Sequence, residues 1–243
     1  MIQSNQDQNL LSFEEKAHAN IIAFYTHKKR FTGIFEGINK QYITLFEYFE
    51  TSAYEKENYC CLFFINRCHS AFLGAGRMAL SCQFQESEML IRGILENAIY
   101  SFFVALSPEY GSLWLNRDVD KKKMKNIFKI GNMFRKLKTT DEHIYNLVSN
   151  SYELAIDFGA HPNPFGSFAV TTTEHNENRQ LFYYEYLTRN RKVVDFLHLQ
   201  LLDAGYQSLL VLQIIFKDLF ETLRIDKAIK QLAKEIDTYR KEH

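Results

Sequence analysis

Apolar residues recur along most of the chain at the spacing of an amphipathic α-helix, with neighbours about three or four positions apart. One stripe contains Ile144, Leu147, Val148, Ala155 and Phe158, and a longer stripe of aliphatic residues runs over 193–216. The spacing predicts helices over 12–31, 34–56, 58–84, 86–106, 108–116, 120–137, 140–158, 177–222 and 226–241. We therefore expect an all-α protein, an irregular multi-helix bundle of seven to nine helices.

Residues that accept hydrogen bonds from free backbone amides mark the expected helix starts. Ser12 with Glu15, and Thr139 with Glu142, have the spacing of capping boxes. Because a capping side chain satisfies an amide that has no partner within the helix, these signals divide the apolar stripes into separate helices. The other expected N-caps are Ser107, Asn176 and Asp226.

The segment 159–178 departs from the helical pattern. Pro162 and Pro164 lack amide donors and restrict the residues before them, so the segment is expected to be one long non-helical loop. Connections between bundle helices usually run about 2–8 residues, and longer loops often carry function or move. A β-hairpin at the Thr-rich end of the segment is the alternative.

Composition narrows the class of protein further. The chain has 243 residues, of which 46% are hydrophobic and 15% aromatic, and its 29 Lys and Arg balance 29 Asp and Glu. These values exclude a disordered chain and argue against a broad nucleic-acid or membrane-surface binder. We find neither a secretory signal nor a membrane-length apolar run, and expect four buried, reduced cysteines. A single cytoplasmic domain over 1–243 is expected, with the helices over 12–56 as its peripheral arm.

The predicted helix over 86–106 is apolar nearly all round, which places it at the centre of the bundle. Glu88, Arg92 and Glu96 nevertheless follow one another at four-residue spacing along one edge, and Arg77 lies on the preceding helix. One interpretation is a polar cleft in which paired carboxylates and arginines bind an anion. The other is an ion-pair ladder that holds two helices in register.

His161 follows the end of the predicted helix over 140–158, where the helix dipole favours a protonated imidazole. As a catalytic residue, His161 would act as an acid, a base or an anion contact beside the charged row formed by Glu88, Arg92 and Glu96. As a structural residue it would cap the last carbonyls of the helix, with Gly159 in the left-handed position.

Motifs over about 60–165 resemble those of a broad set of bacterial all-helical proteins that have a Leu-x-Arg-x-x-x-Glu core helix. The residues that carry this resemblance are Ser70, Gly74, Glu88, Leu90, Arg92, Glu96, Trp114, Tyr152 and His161. Some of those proteins are placed near the HEPN superfamily, whose ribonucleases use an Arg to bind phosphate and a His to activate the 2′-hydroxyl. The matching spacing here is Arg191 and His198, so the resemblance implies a catalytic pair; an exposed helix face is the alternative.

A basic segment over 120–138 is the strongest local charge asymmetry. One interpretation is a surface that binds RNA or an acidic protein, and the other is the solvated face of a helix. The binding candidates are Lys121, Lys122, Lys123 and Lys125. The spacing of Cys60, Cys61, Cys68 and His69 does not fit zinc, and no glycine-rich phosphate loop is present. We therefore predict no metal and no cofactor.

The aromatic run over 182–186 is denser than one helix face can bury, which predicts a self-association surface. We expect a cytosolic, non-catalytic interaction or oligomerisation module that forms a homo-oligomer, binds a protein partner and does not bind membranes. The resemblance alone implies a place in a bacterial defence or stress system. A HEPN-like, metal-independent ribonuclease or another phosphate-handling enzyme is the alternative function.

Overall fold

The computed structural model describes residues 9–51, 59–160, 163–176 and 179–243. Twelve α-helices and one two-stranded antiparallel sheet lie within these ranges. The strands are β1 (Thr171–Asn176) and β2 (Arg179–Tyr184), and a π-helical turn occupies Ile156–Ala160. The helices are α1 (Leu10–His27), α2 (Lys29–Thr51), α3 (Tyr59–Leu80), α4 (Phe84–Ala105), α5 (Pro108–Leu115), α6 (Lys121–Ile127), α7 (Ile130–Thr140), α8 (Glu142–Ala155), α9 (Pro164–Ala169), α10 (Arg191–Ile215), α11 (Lys217–Thr222) and α12 (Ile225–Glu242).

Helix α4 lies at the centre, as its apolar circumference predicts. It packs against α3 and α10 and also contacts α5, α7, α8 and the π-turn. Ile91, Ile94 and Leu95 are completely buried in these contacts. Since burying one such side chain is worth about 1.5–3 kcal/mol, α4 is the main organiser of the hydrophobic core.

The N-terminal helices differ in how deeply they are buried. Helix α2 packs against α12, α10 and α3, and its Phe31, Ile38 and Tyr42 belong, fully buried, to the same core cluster as α4. Among the residues of α1 only Ala17 is buried. Of the two helices expected over 12–56, α1 therefore has the character of a peripheral arm, whereas α2 is part of the core.

Helix α10 passes unusually close to α2 and α3. At Gly205 a Cβ atom would lie 2.5 Å from the ring of Phe72 and 3.1 Å from Ile38. Only glycine lets the backbone of α10 approach these side chains so closely, because real Cβ atoms essentially never come nearer than 3.0 Å. The residue thus sets the depth at which α10 enters the core.

The described residues contain twelve helices and not the expected seven to nine, because two predicted helices are each divided into two and α9 lies in the segment expected as a loop. The segment expected as one helix over 120–137 contains α6 and α7, which separate at Phe128 and Lys129. The segment expected as one helix over 177–222 contains β2, α10 and α11. Helix α10 begins only at Arg191, where the Asn190 side chain accepts a hydrogen bond from the Lys192 amide at 3.1 Å.

The segment near 159–178 is likewise not the long non-helical loop that the prolines predict. It contains the end of the π-turn, α9 and β1. Helix α9 starts with Pro164, and the Asn163 side chain caps it. In the hairpin, Thr171 lies opposite Tyr184 and Thr173 opposite Phe182. Since β-branched and aromatic residues favour strands, the alternative of a hairpin is the correct one.

The structure confirms one of the expected N-caps and shows that two others are wrong. The expected cap at Ser107 is confirmed, because its hydroxyl accepts a hydrogen bond from the Glu109 amide. Ser12 and Thr139 do not cap. Asn9 caps α1 by accepting from the Ser12 amide at 2.9 Å, and Asp141 caps α8. In both cases a carboxylate or amide side chain near the predicted serine or threonine takes the role.

The other two expected caps are also wrong. Asn176 ends β1 and does not begin a helix. Asp226 lies inside the first turn of α12, and this helix begins after Arg224, whose φ is 60°. The left-handed Arg224 turns the chain from α11 into α12, and its side chain makes no cap hydrogen bond.

All four cysteines are buried and none forms a disulfide with another described residue, as expected. In the described part of the chain, no helix combines the length and the apolar character that crossing a bilayer requires. The thiols contribute to the core as small apolar groups, and burial raises the pKa of Cys68 to about 12.

Candidate functional site

A cleft of about 1440 Å³ opens between α1, the end of β2 with the segment that follows it, and the first turns of α10. We call it the basic cleft. Its walls combine basic side chains with aromatic rings, and the residues that matter most are Phe13, Lys16, Phe24, Lys28, Tyr184, Glu185, Tyr186, Arg189, Arg191 and Asp195. Concave sites of this kind, with a few charged groups among apolar walls, are where proteins usually bind ligands.

Two cations share one carboxylate on the α10 side of the basic cleft. Lys28 Nζ lies 3.4 Å from Asp195 Oδ1, and Arg191 Nε lies 3.4 Å from Asp195 Oδ2. The Asp195 side chain is only 12% exposed, so the two cations hold its charge at the edge of the core. One positive charge is left in excess at this point.

Two further cations line the basic cleft. Lys16 of α1 and Arg189 before α10 are both exposed, and neither forms an ion pair with the residues that the structure describes. Glu185, the second carboxylate of the basic cleft, accepts a hydrogen bond from the Arg189 backbone amide at 3.0 Å. It therefore fixes the turn before α10, and the basic cleft keeps more cations than carboxylates.

Aromatic rings form the remaining surface of the basic cleft. The rings of Tyr184 and Tyr186 meet edge to face, with centroids 5.0 Å apart. The Tyr184 hydroxyl donates a hydrogen bond to the Gln85 side chain on α4, which ties the hairpin to the centre of the fold. Phe13 and Phe24 face the basic cleft from α1. Part of the aromatic run over 182–186 thus lines a cleft.

The structure does not present Arg191 and His198 on one accessible surface. The Arg191 side chain is 81% exposed, whereas His198 is completely buried. The imidazole stacks on Phe31 at 4.0 Å and meets the edge of Phe24 at 4.9 Å. Its ring nitrogens make no well-formed hydrogen bond with the described residues, and burial lowers the pKa of His198 to about 3. The imidazole is therefore neutral and enclosed.

No protein-family model, curated protein or solved structure matches the chain. The resemblance to HEPN-like helical proteins accordingly stays a prediction from sequence motifs. The geometry favours the basic cleft over the surroundings of His198 as a functional site, because a ligand can reach the basic cleft and cannot reach the buried imidazole.

The charged row on α4 is divided into two environments. Arg92 Nε and Nη2 donate to Glu96 Oε1 at 2.9 and 2.8 Å, and the Tyr152 hydroxyl donates to the same oxygen at 2.9 Å. Arg77 is exposed on α3 and takes no part in this cluster. Arg92 and Glu96 thus form the expected intrahelical ion pair, and the polar cleft containing Arg77 does not form.

Glu88 is separate from that pair and completely buried. Neither of its carboxylate oxygens has a hydrogen-bond partner among the described residues, and burial raises its pKa to about 8. The π-turn packs tightly here, since a Cβ on Gly159 would lie 2.5 Å from Glu88 Cβ. Glu88 is therefore a neutral carboxylic acid at pH 7, enclosed between α4 and the π-turn.

The basic segment forms an exposed surface away from the residues that line the basic cleft. Helix α6 contains all four candidate lysines, Lys121, Lys122, Lys123 and Lys125. Lys121 lies 3.5 Å from Asp118, and Lys121, Lys122, Lys123 and Lys125 are all exposed to solvent. This arrangement matches the solvated face, and the RNA surface stays a prediction.

His161 lies outside the described residues. Among those that are described, no group of three or more His, Cys, Asp and Glu side chains is arranged to hold a metal ion. Cys60 and Cys68 each donate instead to a backbone carbonyl, of Gly111 and Ile94 respectively. These thiols are therefore engaged in packing contacts inside the core.

Sequence reasoning missed most of the basic cleft. Two distant parts of the chain contribute to it, Lys16 and Lys28 from one and Arg189 and Asp195 from the other, and the Lys28–Asp195 ion pair links them. Two local signals pointed to the region: the aromatic run over 182–186 and the exposed Arg191. No local pattern could pair these signals with α1.

Proposed function

We propose that this chain is a non-catalytic interaction module that associates with a second copy of itself through an aromatic surface on α9 and β2. The aromatic surface consists of Phe165, Phe168 and Phe182. The observation that supports the proposal is the exposure of these rings to solvent in a chain that buries most of its large apolar side chains.

The exposed fractions are large for phenylalanine. Phe165 is 63% exposed, Phe168 is 71% exposed and Phe182 is 40% exposed. In the described part of the chain, Phe63 is the only other phenylalanine among the exposed large apolar residues. Phe165 and Phe168 share a face of α9 at three-residue spacing. Interfaces are enriched in aromatic residues, so the rings are suited to a partner.

The absence of catalysis is supported by where the perturbed groups lie. Glu88 and His198 have the chemistry of acid–base residues, yet both are completely buried. A general acid or base has to come within hydrogen-bond distance of its substrate. A HEPN-like ribonuclease would need His198 in contact with solvent and beside Arg191. We also propose a cytosolic location, which four buried cysteines without a disulfide among the described residues support.

Light scattering after size-exclusion chromatography tests the proposal. We expect the wild type to elute with twice its chain mass of 28.7 kDa, and a Phe165→Ser/Phe168→Ser variant to elute as a monomer. Val119→Ser is the matched control, because Val119 is an exposed apolar residue, 86% exposed, outside the aromatic surface. A wild type that stays monomeric at high concentration, or equal masses for all three proteins at the dimer value, would refute it.

A further inference from the structure

We propose that the basic cleft binds a small planar anion, an aromatic ring that carries a phosphate, sulfonate or carboxylate group. This inference goes beyond self-association, since none of the residues of the aromatic surface lines the basic cleft. The two proposals therefore concern different parts of the molecule and can fail independently.

Charge is the first argument. The chain as a whole has a formal net charge of zero, but the basic cleft contains Lys16, Lys28, Arg189 and Arg191 against Asp195 and Glu185. A local excess of positive charge in a concave site raises the potential there, because low-dielectric walls concentrate the field. An anion is therefore favoured over a neutral or cationic ligand.

Two of the four cations that line the basic cleft have no ion-pair partner among the described residues. Asp195 engages both Lys28 and Arg191, and Glu185 is used by the backbone of the turn. Lys16 and Arg189 have no carboxylate partner among the described residues. A guanidinium can bind a phosphate or carboxylate through two parallel hydrogen bonds, so Arg189 is the residue best suited to hold the anionic group.

The aromatic walls of the basic cleft indicate the chemistry of the part of the ligand that carries no charge. Tyr186 is 59% exposed, and its ring meets Tyr184 edge to face, which leaves ring surface open to the basic cleft. Phe13 and Phe24 offer apolar surface from α1. A flat ring fits between such groups better than a flexible aliphatic chain, because aromatic pairs gain about 0.5–1.5 kcal/mol beyond burial.

The basic cleft is larger than most small-molecule sites. Ligand sites usually measure about 300–1000 Å³, and the basic cleft measures about 1440 Å³. A bicyclic aromatic ring with one anionic substituent would fill part of it and leave room for water at the open side. Ordered water is compatible with tight binding at such polar sites.

Isothermal titration calorimetry with three probes tests the inference. The probes are 1-naphthyl phosphate, which has ring and anion, inorganic phosphate, which has the anion alone, and 1-naphthol, which has the ring alone. We expect 1-naphthyl phosphate to bind one site per chain, at least about tenfold more tightly than either other probe. Its affinity should fall as salt rises, because an exposed ion contact is screened.

Variants then locate the site. Arg189→Gln should weaken binding of 1-naphthyl phosphate about tenfold, and Tyr186→Ala should remove its advantage over inorganic phosphate. Lys234→Gln is the matched control, since Lys234 lies in a separate groove beside Lys29 and Arg30. Circular dichroism confirms that each variant is folded.

Three results would overturn the inference. The first is no measurable binding of 1-naphthyl phosphate to the folded wild type. The second is equal affinity for 1-naphthyl phosphate and either partial probe. The third is an equal loss of affinity in Lys234→Gln and Arg189→Gln, which would show that binding depends on surface charge in general and not on the basic cleft.

Discussion

Glu88→Gln is the substitution whose effect the structure specifies most fully. The carboxyl group is completely buried, lacks a hydrogen-bond partner among the described residues and lies under the π-turn at Gly159. Burial raises its pKa from 4.5 to about 8. Glutamine has nearly the same shape and stays neutral, so the variant removes the titration and leaves the packing unchanged.

The direction of the effect follows from proton binding. Between about pH 4.5 and pH 8 the folded protein keeps the proton on Glu88, whereas the unfolded chain loses it. The wild type is therefore most stable, with respect to this group, below pH 4.5 and loses stability as the pH rises towards 8. One pH unit corresponds to about 1.4 kcal/mol, so the group costs the wild type about 3 kcal/mol at pH 7.

Urea unfolding of both proteins at several pH values measures this cost. We expect the difference in unfolding free energy, Glu88→Gln minus wild type, to grow by about 2.5 kcal/mol between pH 5 and pH 7. Subtracting the two curves removes the titration of other groups. Glu153→Gln on the exposed face of α8 is the control, and its difference should stay constant. A constant difference for Glu88→Gln as well would refute the assignment of a buried neutral acid.

The core supports two further predictions. Burial lowers the pKa of His198 from 6.5 to about 3, so as the pH falls the unfolded chain takes up a proton before the folded protein does. His198→Phe should therefore reduce the loss of stability between pH 7 and pH 5 by about 2 kcal/mol. Urea unfolding at the two pH values checks this, and equal losses in the variant and the wild type would contradict it. Gly205→Ala should lower stability by about 1–3 kcal/mol, because the new methyl meets the Phe72 ring at 2.5 Å. Gly33→Ala, where no atom lies within 4 Å, should instead raise stability by about 1 kcal/mol, and a lower Tm for both variants would argue against the packing explanation.

The fold could be predicted where local pattern and burial agree. Helix α4 is apolar nearly all round and lies at the centre, and Ser107 followed by Pro108 starts a helix as expected. The hairpin was the harder case, because the residues over 179–184 combine strand-forming aromatics with a helical stripe that continues from 193 onwards. Tertiary contacts, such as the hydrogen bond of Tyr184 to Gln85, decide between the two states.

The candidate site was predictable only in fragments. Arg92 and Glu96 are four residues apart on one helix, so their ion pair follows from helix geometry. Arg191 and His198 also share a helix face by spacing, but Arg191 begins α10 at the surface, whereas His198, about two turns further on, is buried in the core. Spacing does not report that change in depth. Lys16 and Arg189 line the same cleft although they are far apart in sequence, and no local pattern predicts that placement.

Hydrogen–deuterium exchange at low and high protein concentration tests the central claim of self-association most directly, because it locates the contact as well as detecting it. We predict that raising the concentration protects peptides from α9 and β2, which carry Phe165, Phe168 and Phe182, and leaves α5 and α6 unchanged. Protection that does not depend on concentration, or that appears in α5 and α6 and not in α9 and β2, would contradict the account.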